Sequence, residues 1–364
     1  GSVPFPGGFR LPPHADGTLP LPLDVPAKGK CFVNICYHCK QDSALIKADH
    51  LLGFDEIPLQ NSDPRNQDAV QLLGRPAGDG LITIRETDRM LVLSCEQFTY
   101  VFNKLTGLFD KMTFANEPLL DQPMGFNVWR APTDNDRKLK ADWYAAHYDH
   151  AATNAYHTEY TVTASGVTLH THVGIAAICV QKFLDLDVTW TVANNGSVDL
   201  ALHAQRNTVF PELPRFGLRL FLPQEMSQVN YYGMGPMECY CDKHHAASHN
   251  SYTATVWQLH EDYIRPQENG SHFDCDYVML AGDAVRLTAV GTQPFSFNAS
   301  HYTQEELTRK AHNYELEPCS STVLCLDYAQ NGIGSESCGP RLLEQYRLDD
   351  ATFNFGLRLF PEKK

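Results

Sequence analysis

An all-β fold dominated by one large antiparallel sandwich is what this sequence predicts, and three observations predict it. Apolar and polar residues alternate with a period of two in run after run. Turn signals rich in Gly and Asn separate those runs. The strand–helix–strand alternation of a (β/α)8 barrel or a doubly wound sheet is missing. Leu184, Leu186, Val188, Trp190 and Val192 alternate with Asp185, Asp187, Thr189 and Thr191, and Asn194-Asn195-Gly196 then turns the chain. Phe216, Leu218, Leu220 and Leu222 repeat the pattern up to Pro223, and Phe353, Phe355, Leu357 and Leu359 repeat it near the C-terminus.

Gly1-Ser2 reads as a cloning remnant outside the fold. Residues 3–30 are rich in Pro and Gly, after which Cys31 to Tyr37 and Leu51 to Leu59 read as two strands. Two or three strands cannot close a sandwich alone. Residues 3–60 are therefore expected to be the back half of a small domain, which favours a cut chain over a natural subunit. Residues 61–79, polar with Gly and Pro, read as a linker, and 80–364 as the main domain. Within it, Val101-Phe102 and Leu108-Phe109 flank Thr106-Gly107 as a hairpin, and Tyr160 to Leu169 turn at Gly166 as another. Helix signals are few. Thr303-Gln304-Glu305-Glu306 is a capping-box pattern for a short helix to about His312, and Lys138 to His150 has room for one or two turns.

Of the 364 residues, 43% are apolar, enough for a substantial core. The formal net charge of -14 repels phosphates and anionic lipid, so nucleic acid and membrane are poor partners, while a neutral sugar is compatible. No apolar run reaches the length of a membrane span. Eleven cysteines, an odd number without a regular framework, read as reduced and mostly buried thiols of a cytoplasmic protein. Cys36-Tyr37-His38-Cys39 is a lone C-x-x-C without the second pair that zinc needs, so its cysteines read as strand residues. His244-His245 point apart if they lie on a strand, and His170-x-His172 has no third ligand nearby, so no metal site is expected.

Carboxylates are the other candidates for chemistry. Asp134 and Asp136, if on a strand, would share a face about 6.5–7 Å apart, wide for the 5–5.5 Å or so of a retaining glycosidase pair. Following Pro132-Thr133, they read more simply as turn and cap residues. Glu238 and Glu268 each follow a loop start containing Gly or Pro; they either face a cleft that binds sugar or fix loops through buried hydrogen bonds, the second being favoured. The segment 295–302 ends on His301-Tyr302.

Five segments, in order, resemble the last domain of glycoside hydrolase family 2 β-galactosidases, found also as the small chain of two-subunit versions. They are Arg130-Ala131-Pro132-Thr133-Asp134-Asn135-Asp136 followed by Trp143, Tyr232 to Tyr240 with Asp242 behind it, Pro266-Gln267-Glu268-Asn269-Gly270, Phe295 to Tyr302, and Asn331 to Pro340. Cys31 to Leu59 resembles the end of the immunoglobulin-like linker domain that precedes it. The resemblance implies a super-sandwich of galactose mutarotase-like shape, with the catalytic glutamates on a separate barrel domain. It implies no catalytic residue in this chain. It implies an active-site rim at Arg137 and Lys138, in a loop that is mobile in the family, and at Ser337 and Cys338. Better-known members carry a sugar-stacking Trp where this chain has Cys338. Arg130, Asp134, Asn135, Asp136, Glu238, Glu268, Asn269 and His301 are the sugar-binding or loop-fixing candidates. The implied partners are the barrel domain or a large chain, a galactoside met through the full enzyme, and further copies in a homo-oligomer. Cofactors are expected to be none here, the magnesium and sodium ions of full-length members lying on other domains.

Two other readings stand beside this one. A stand-alone carbohydrate-binding module would bind galactose or lactose by itself. A mutarotase-like sugar epimerase would need an Asn-His-Thr-Tyr-Phe-Asn-Leu type segment with a catalytic His, and the sequence has none.

Overall fold

The structure is a computed structural model that describes residues 11–334 and 338–364. The chain divides between Gln67 and Asp68 into two compact units. In the first, strands Cys31–His38 and Leu51–Leu59 pair antiparallel from Cys31 opposite Leu59 to Tyr37 opposite Gly53. Asn61 anchors the base of this hairpin, its Nδ2 donating to the Gly29 carbonyl at 2.8 Å. No residue of either strand is buried. The stretch read from sequence as a linker holds a helix, Gln67–Leu73, in which Ala69, Leu72 and Leu73 pack with Tyr232, Tyr277 and Val290.

The second unit is built on an antiparallel sheet that comprises twelve strands among the described residues. From one edge its order is Ser248–Thr255, Gln228–Gly235, Ser271–Ala281, Val285–Ser300, Thr352–Lys363, Val198–Arg206, Leu184–Ala193, Gly166–Ala176 and Ala152–Thr163. A branch leaves Val285–Ser300 through Ser321–Gln330 to Arg215–Pro223 and Gln122–Asn127. A five-stranded sheet running from Thr83–Glu86 to Glu117–Pro118 packs against the larger one, and both feed one apolar core.

The period-two pattern explains that core. Leu184, Leu186, Trp190 and Val192 are fully buried, while Asp187 points outward. Trp190 packs edge-on against Phe109 of the facing sheet and donates from Nε1 to the Gly107 carbonyl at 2.9 Å. Gly107 turns its hairpin at φ 72°, and a Cβ there would lie 2.8 Å from Val173 Cγ2. Glycine thus supplies both the turn and the close approach.

The helix after Thr303 covers Gln304–Arg309, with Thr303 Oγ1 accepting from the Glu306 amide. It stops short of the expected His312 because the Glu306 carboxylate takes the amide of Glu317 and draws the chain back. Between 138 and 150, helix Leu139–Ala145 and a 3-10 turn Tyr148–His150 form. The thiols differ from expectation. The eleven cysteines form no disulfide among the described residues, but only Cys239, Cys275 and Cys325 are buried; Cys36, Cys179 and Cys338 are exposed. Cys36 and Cys39 belong to the hairpin unit, whose strands bury nothing, so they have no interior to enter.

Candidate functional site: a cleft at the strand ends

Arg215 begins one strand opposite Gln330, which ends its partner, and Ser271 begins another opposite Asn298. These ends lie together, and the loops leaving them gather above. They enclose a cleft of about 430 Å³ lined by Thr133, Asp134, Asn135, Asp242, Lys243, Tyr263, Gln267, Glu268, Ile333 and Gly334. Four of the five recognised segments, or residues just beside them, thus share one cavity wall. The fifth lies beneath it, with Asn298 donating from Nδ2 to the Asn269 carbonyl at 2.7 Å.

Two buried arginines hold the floor. Arg215 donates to Asp327 from Nε (3.1 Å) and Nη2 (2.5 Å), to Glu268 Oε1 from Nη1 (2.9 Å) and to Asn298 Oδ1 from Nη2 (2.9 Å). Burial opposes its charge, but Asp327 and Glu268 outweigh that and hold the guanidinium protonated. Burial raises the Glu268 carboxyl, and Arg215 offsets this in part; Glu268 Oε2 has no hydrogen-bond partner among the described residues. The Glu268 amide donates to the Ala131 carbonyl at 2.9 Å. Arg130 is fully buried under Trp143. It donates to Asp136 Oδ1 at 2.8 Å and to the carbonyls of Asn331 and Gly332.

The first segment is not a strand. Asp134–Arg137 is a 3-10 helix, and Asp136 caps it, Oδ2 accepting from the Thr133 amide at 2.8 Å. The strand spacing considered for Asp134 and Asp136 therefore does not apply, because the cap bends the chain. Asp134 is exposed, its amide donating to Gln267 Oε1 at 2.8 Å, and Asn135 Nδ2 donates to the Ile333 carbonyl at 2.9 Å. Arg137 and Lys138 are exposed and outside the cleft lining, whereas Leu139 already starts a helix with Trp143 buried one turn on. The turns expected between Lys138 and His150 thus begin at Leu139, whose spacing to Trp143 puts both side chains on the buried face.

Glu238 lines an adjoining hollow of about 520 Å³ with Asp242, Lys243, His244 and Tyr263. Its carboxylate accepts from Lys243 Nζ at 2.5 Å, from Tyr263 and from the Gly270 amide at 2.9 Å. Burial pushes its pKa up, but these donors prevail and hold it below the ordinary value. Asn269 fixes the same turn, accepting from the Glu261 amide and donating to the Gln267 carbonyl. Asp242 accepts the amides of Ile333 at 3.0 Å and Gly334 at 2.5 Å. A Cβ on Gly332 would lie 2.7 Å from Asp242 Oδ2, so the carboxylate occupies space that only glycine leaves open.

His301 is buried beside Trp257, ring centroids 4.7 Å apart, and does not line the cleft. Cys338 is exposed, and Ser337 lies outside the described residues. His244 and His245 lie in a loop with rings 5.1 Å apart, so the strand argument that separated them does not hold. Still, no cluster of three metal-ligating side chains occurs among the described residues.

Sequence reasoning missed Arg215, Asp327, Lys243, Tyr263 and His272. Asp327 left a trace: it is a lone charge inside the apolar run Val323 to Tyr328. Burial pushes the His272 imidazole down to about 4.

The family described as β-galactosidase small chain matches residues 94–359. This chain belongs to that family. Among its relatives, a β-galactosidase of Actinobacillus pleuropneumoniae is 37% identical over 351 residues, covering 96% of this chain and 34% of that protein. One of Staphylococcus xylosus is 34% identical over 348 residues, covering 95% and 34%. The small-chain sequence thus spans about a third of the length of the curated relatives it matches. Among solved structures, galactose 1-epimerase from Lactobacillus acidophilus NCFM is similar at 9% identity and a TM-score of 0.42, covering 78% of this chain and 98% of that one.

Proposed function

We propose that this chain is the C-terminal, non-catalytic domain of a β-galactosidase, an enzyme that hydrolyses terminal β-D-galactosides such as lactose. One observation carries the reading: the cleft carboxylates are committed to holding loops. Glu268 is tied to Arg215, Asp242 to two amides, and the neighbouring Glu238 to Lys243, Tyr263 and Gly270. Asp134 alone among the acids lining the cleft is exposed, and retaining hydrolysis needs two carboxylates about 5–5.5 Å apart. The acid/base and nucleophile are then supplied by a barrel domain or large chain, a galactoside is met at their shared rim, and Arg137, Lys138, Ser337 and Cys338 are this chain's rim residues. Any magnesium or sodium belongs to other domains, and assembly into a homo-oligomer belongs to the full enzyme. Eleven cysteines that form no disulfide among the described residues favour the cytoplasm; no helix among the described residues is long and apolar enough to cross a membrane.

Turnover of a nitrophenyl β-galactoside tests this. The purified chain should show none, and co-expression with the remainder of a full-length β-galactosidase should restore it. Turnover by the chain alone that disappears with Glu238→Gln or Glu268→Gln would refute the proposal.

A further inference from the structure

The two rim stretches, Arg137-Lys138 and the chain around Cys338, are far apart in sequence, yet the structure ties them together on both sides of Cys338. Before Cys338 the chain runs from Asn331 to Gly334. Arg130 takes the carbonyls of Asn331 and Gly332, and Asp242 takes the amides of Ile333 and Gly334. Asn135, one turn ahead of Lys138, donates from Nδ2 to the Ile333 carbonyl at 2.9 Å. That is the first tie.

The second tie lies beyond Cys338. Arg341 Nη2 donates to Glu212 Oε1 at 2.6 Å. The carbonyl of the same Glu212 accepts from Trp143 Nε1 at 2.9 Å. Trp143 stands in helix Leu139–Ala145, whose N-cap is Lys138. Glu212 therefore holds one rim stretch through its backbone and the other through its carboxylate. Farther on, Arg347 donates from Nε and Nη2 to the Leu342 carbonyl at 2.9 and 2.7 Å, and the Leu348 amide closes the neck on Asn331 Oδ1 at 2.9 Å.

A fully exposed ion pair would fix little. This one is different on one side: the Glu212 side chain is 7% exposed and that of Arg341 is 52%. A shielded carboxylate keeps a close counter-charge, because losing it leaves the charge poorly solvated. Glu212 and Arg341 also stand apart from the cleft, lining a separate hollow with Asp142, Val209 and Phe210. Their effect on anything bound in the cleft is indirect. We propose that Glu212 and Arg341 are positioning residues, which with Asn135 keep the two rim patches at one spacing so that they meet a galactoside as one surface. This rests on the reading of those patches as an active-site rim; the mechanical link between them does not.

Two measurements test it. Spin labels are placed at Cys338 and at Lys138→Cys, with the remaining exposed and half-buried cysteines replaced by Ser. The label-to-label distance distribution should be single and narrow. Arg341→Ala should widen it at least about twofold, and Arg341→Lys should restore most of the order. In the chain co-expressed with the remainder of a full-length β-galactosidase, Arg341→Ala should raise KM for lactose about three- to tenfold, by more than kcat falls. Arg341→Lys should recover most of that loss. A distribution already broad in the parent, or unchanged by Arg341→Ala, overturns the proposal, and so does a widened rim with unaltered KM. If near-ultraviolet circular dichroism shows Arg341→Ala misfolded, Glu212→Gln, which keeps the side chain's size, takes its place in both measurements. If the unaltered assembly turns over no galactoside, the β-galactosidase reading fails, while the distances still decide whether the two stretches are one body.

Discussion

The second unit has two interiors of opposite chemistry. Around Trp190 the inward side chains are mostly apolar and come largely from three consecutive strands, Gly166–Ala176, Leu184–Ala193 and Val198–Arg206, with Phe109 of the facing sheet against them. Around Arg215 the buried groups are Glu268, Asn298, Asp327 and Gln330, brought together from across more than a hundred residues. The first interior gains from the area removed from water, a term that tolerates imprecise geometry. The second gains only when every charge meets its partner, since burying an unpaired charge costs several kcal/mol. The apolar interior makes the sandwich; the polar one fixes how loops leave its end.

The largest expected effect breaks this contrast at its centre. Arg215→Ala strands Glu268 and Asp327 without a cation and should destabilise by about 3–5 kcal/mol in urea denaturation. Adding Glu268→Gln and Asp327→Asn to Arg215→Met should recover at least half of that loss. If the single variant is as stable as the parent, the polar interior is not a structural unit.

Next in size is a pH effect. The unfolded imidazole titrates near 6.5, while His272 in the fold stays neutral down to about 4. Its folded pKa is depressed, so its contribution is fully present above about 6.5 and is lost as pH falls toward 4. The total loss is up to about 3 kcal/mol. Melting curves between pH 7.5 and 5 should show this decline, and His272→Gln should flatten it. An unchanged slope in that variant would assign the acid sensitivity elsewhere.

The smallest effect belongs to the outward face of the apolar strands. Asp187 is exposed and meets His172 at 2.9 Å, a surface pair. Asp187→Asn should change stability by no more than about 0.5 kcal/mol in denaturant titration. A loss above about 2 kcal/mol would mean that this face is also interior.

The two interiors were not equally legible. Period two is a local code, so Leu184 to Val192 announced both a strand and its buried face, and Gly107 and Gly196 marked the hairpins around them. The polar interior has no such code. Glu268 and Asn298 fell inside recognised segments, but nothing near Arg215 says that its partner is Asp327. That pairing exists only once two strands align Arg215 with Gln330. The capping role of Asp136 was readable because its partner, Thr133, is three residues away. The helix at Leu139 was legible as one or two turns between Lys138 and His150, but a segment this short carries too little pattern to fix its ends.

Strand Thr352–Lys363 lies between Val198–Arg206 and Val285–Ser300 in the large sheet. The ribosome makes both of those neighbours first. During synthesis the sheet therefore waits as two separate halves, each with a bare edge facing a gap, until a later-made strand slides between them. A nascent chain paused before residue 352 presents two open ladders that can pair with another molecule's. Folding of this domain is thus a closing event, set by the arrival of one strand, and not a progressive zippering from the first hairpin onward.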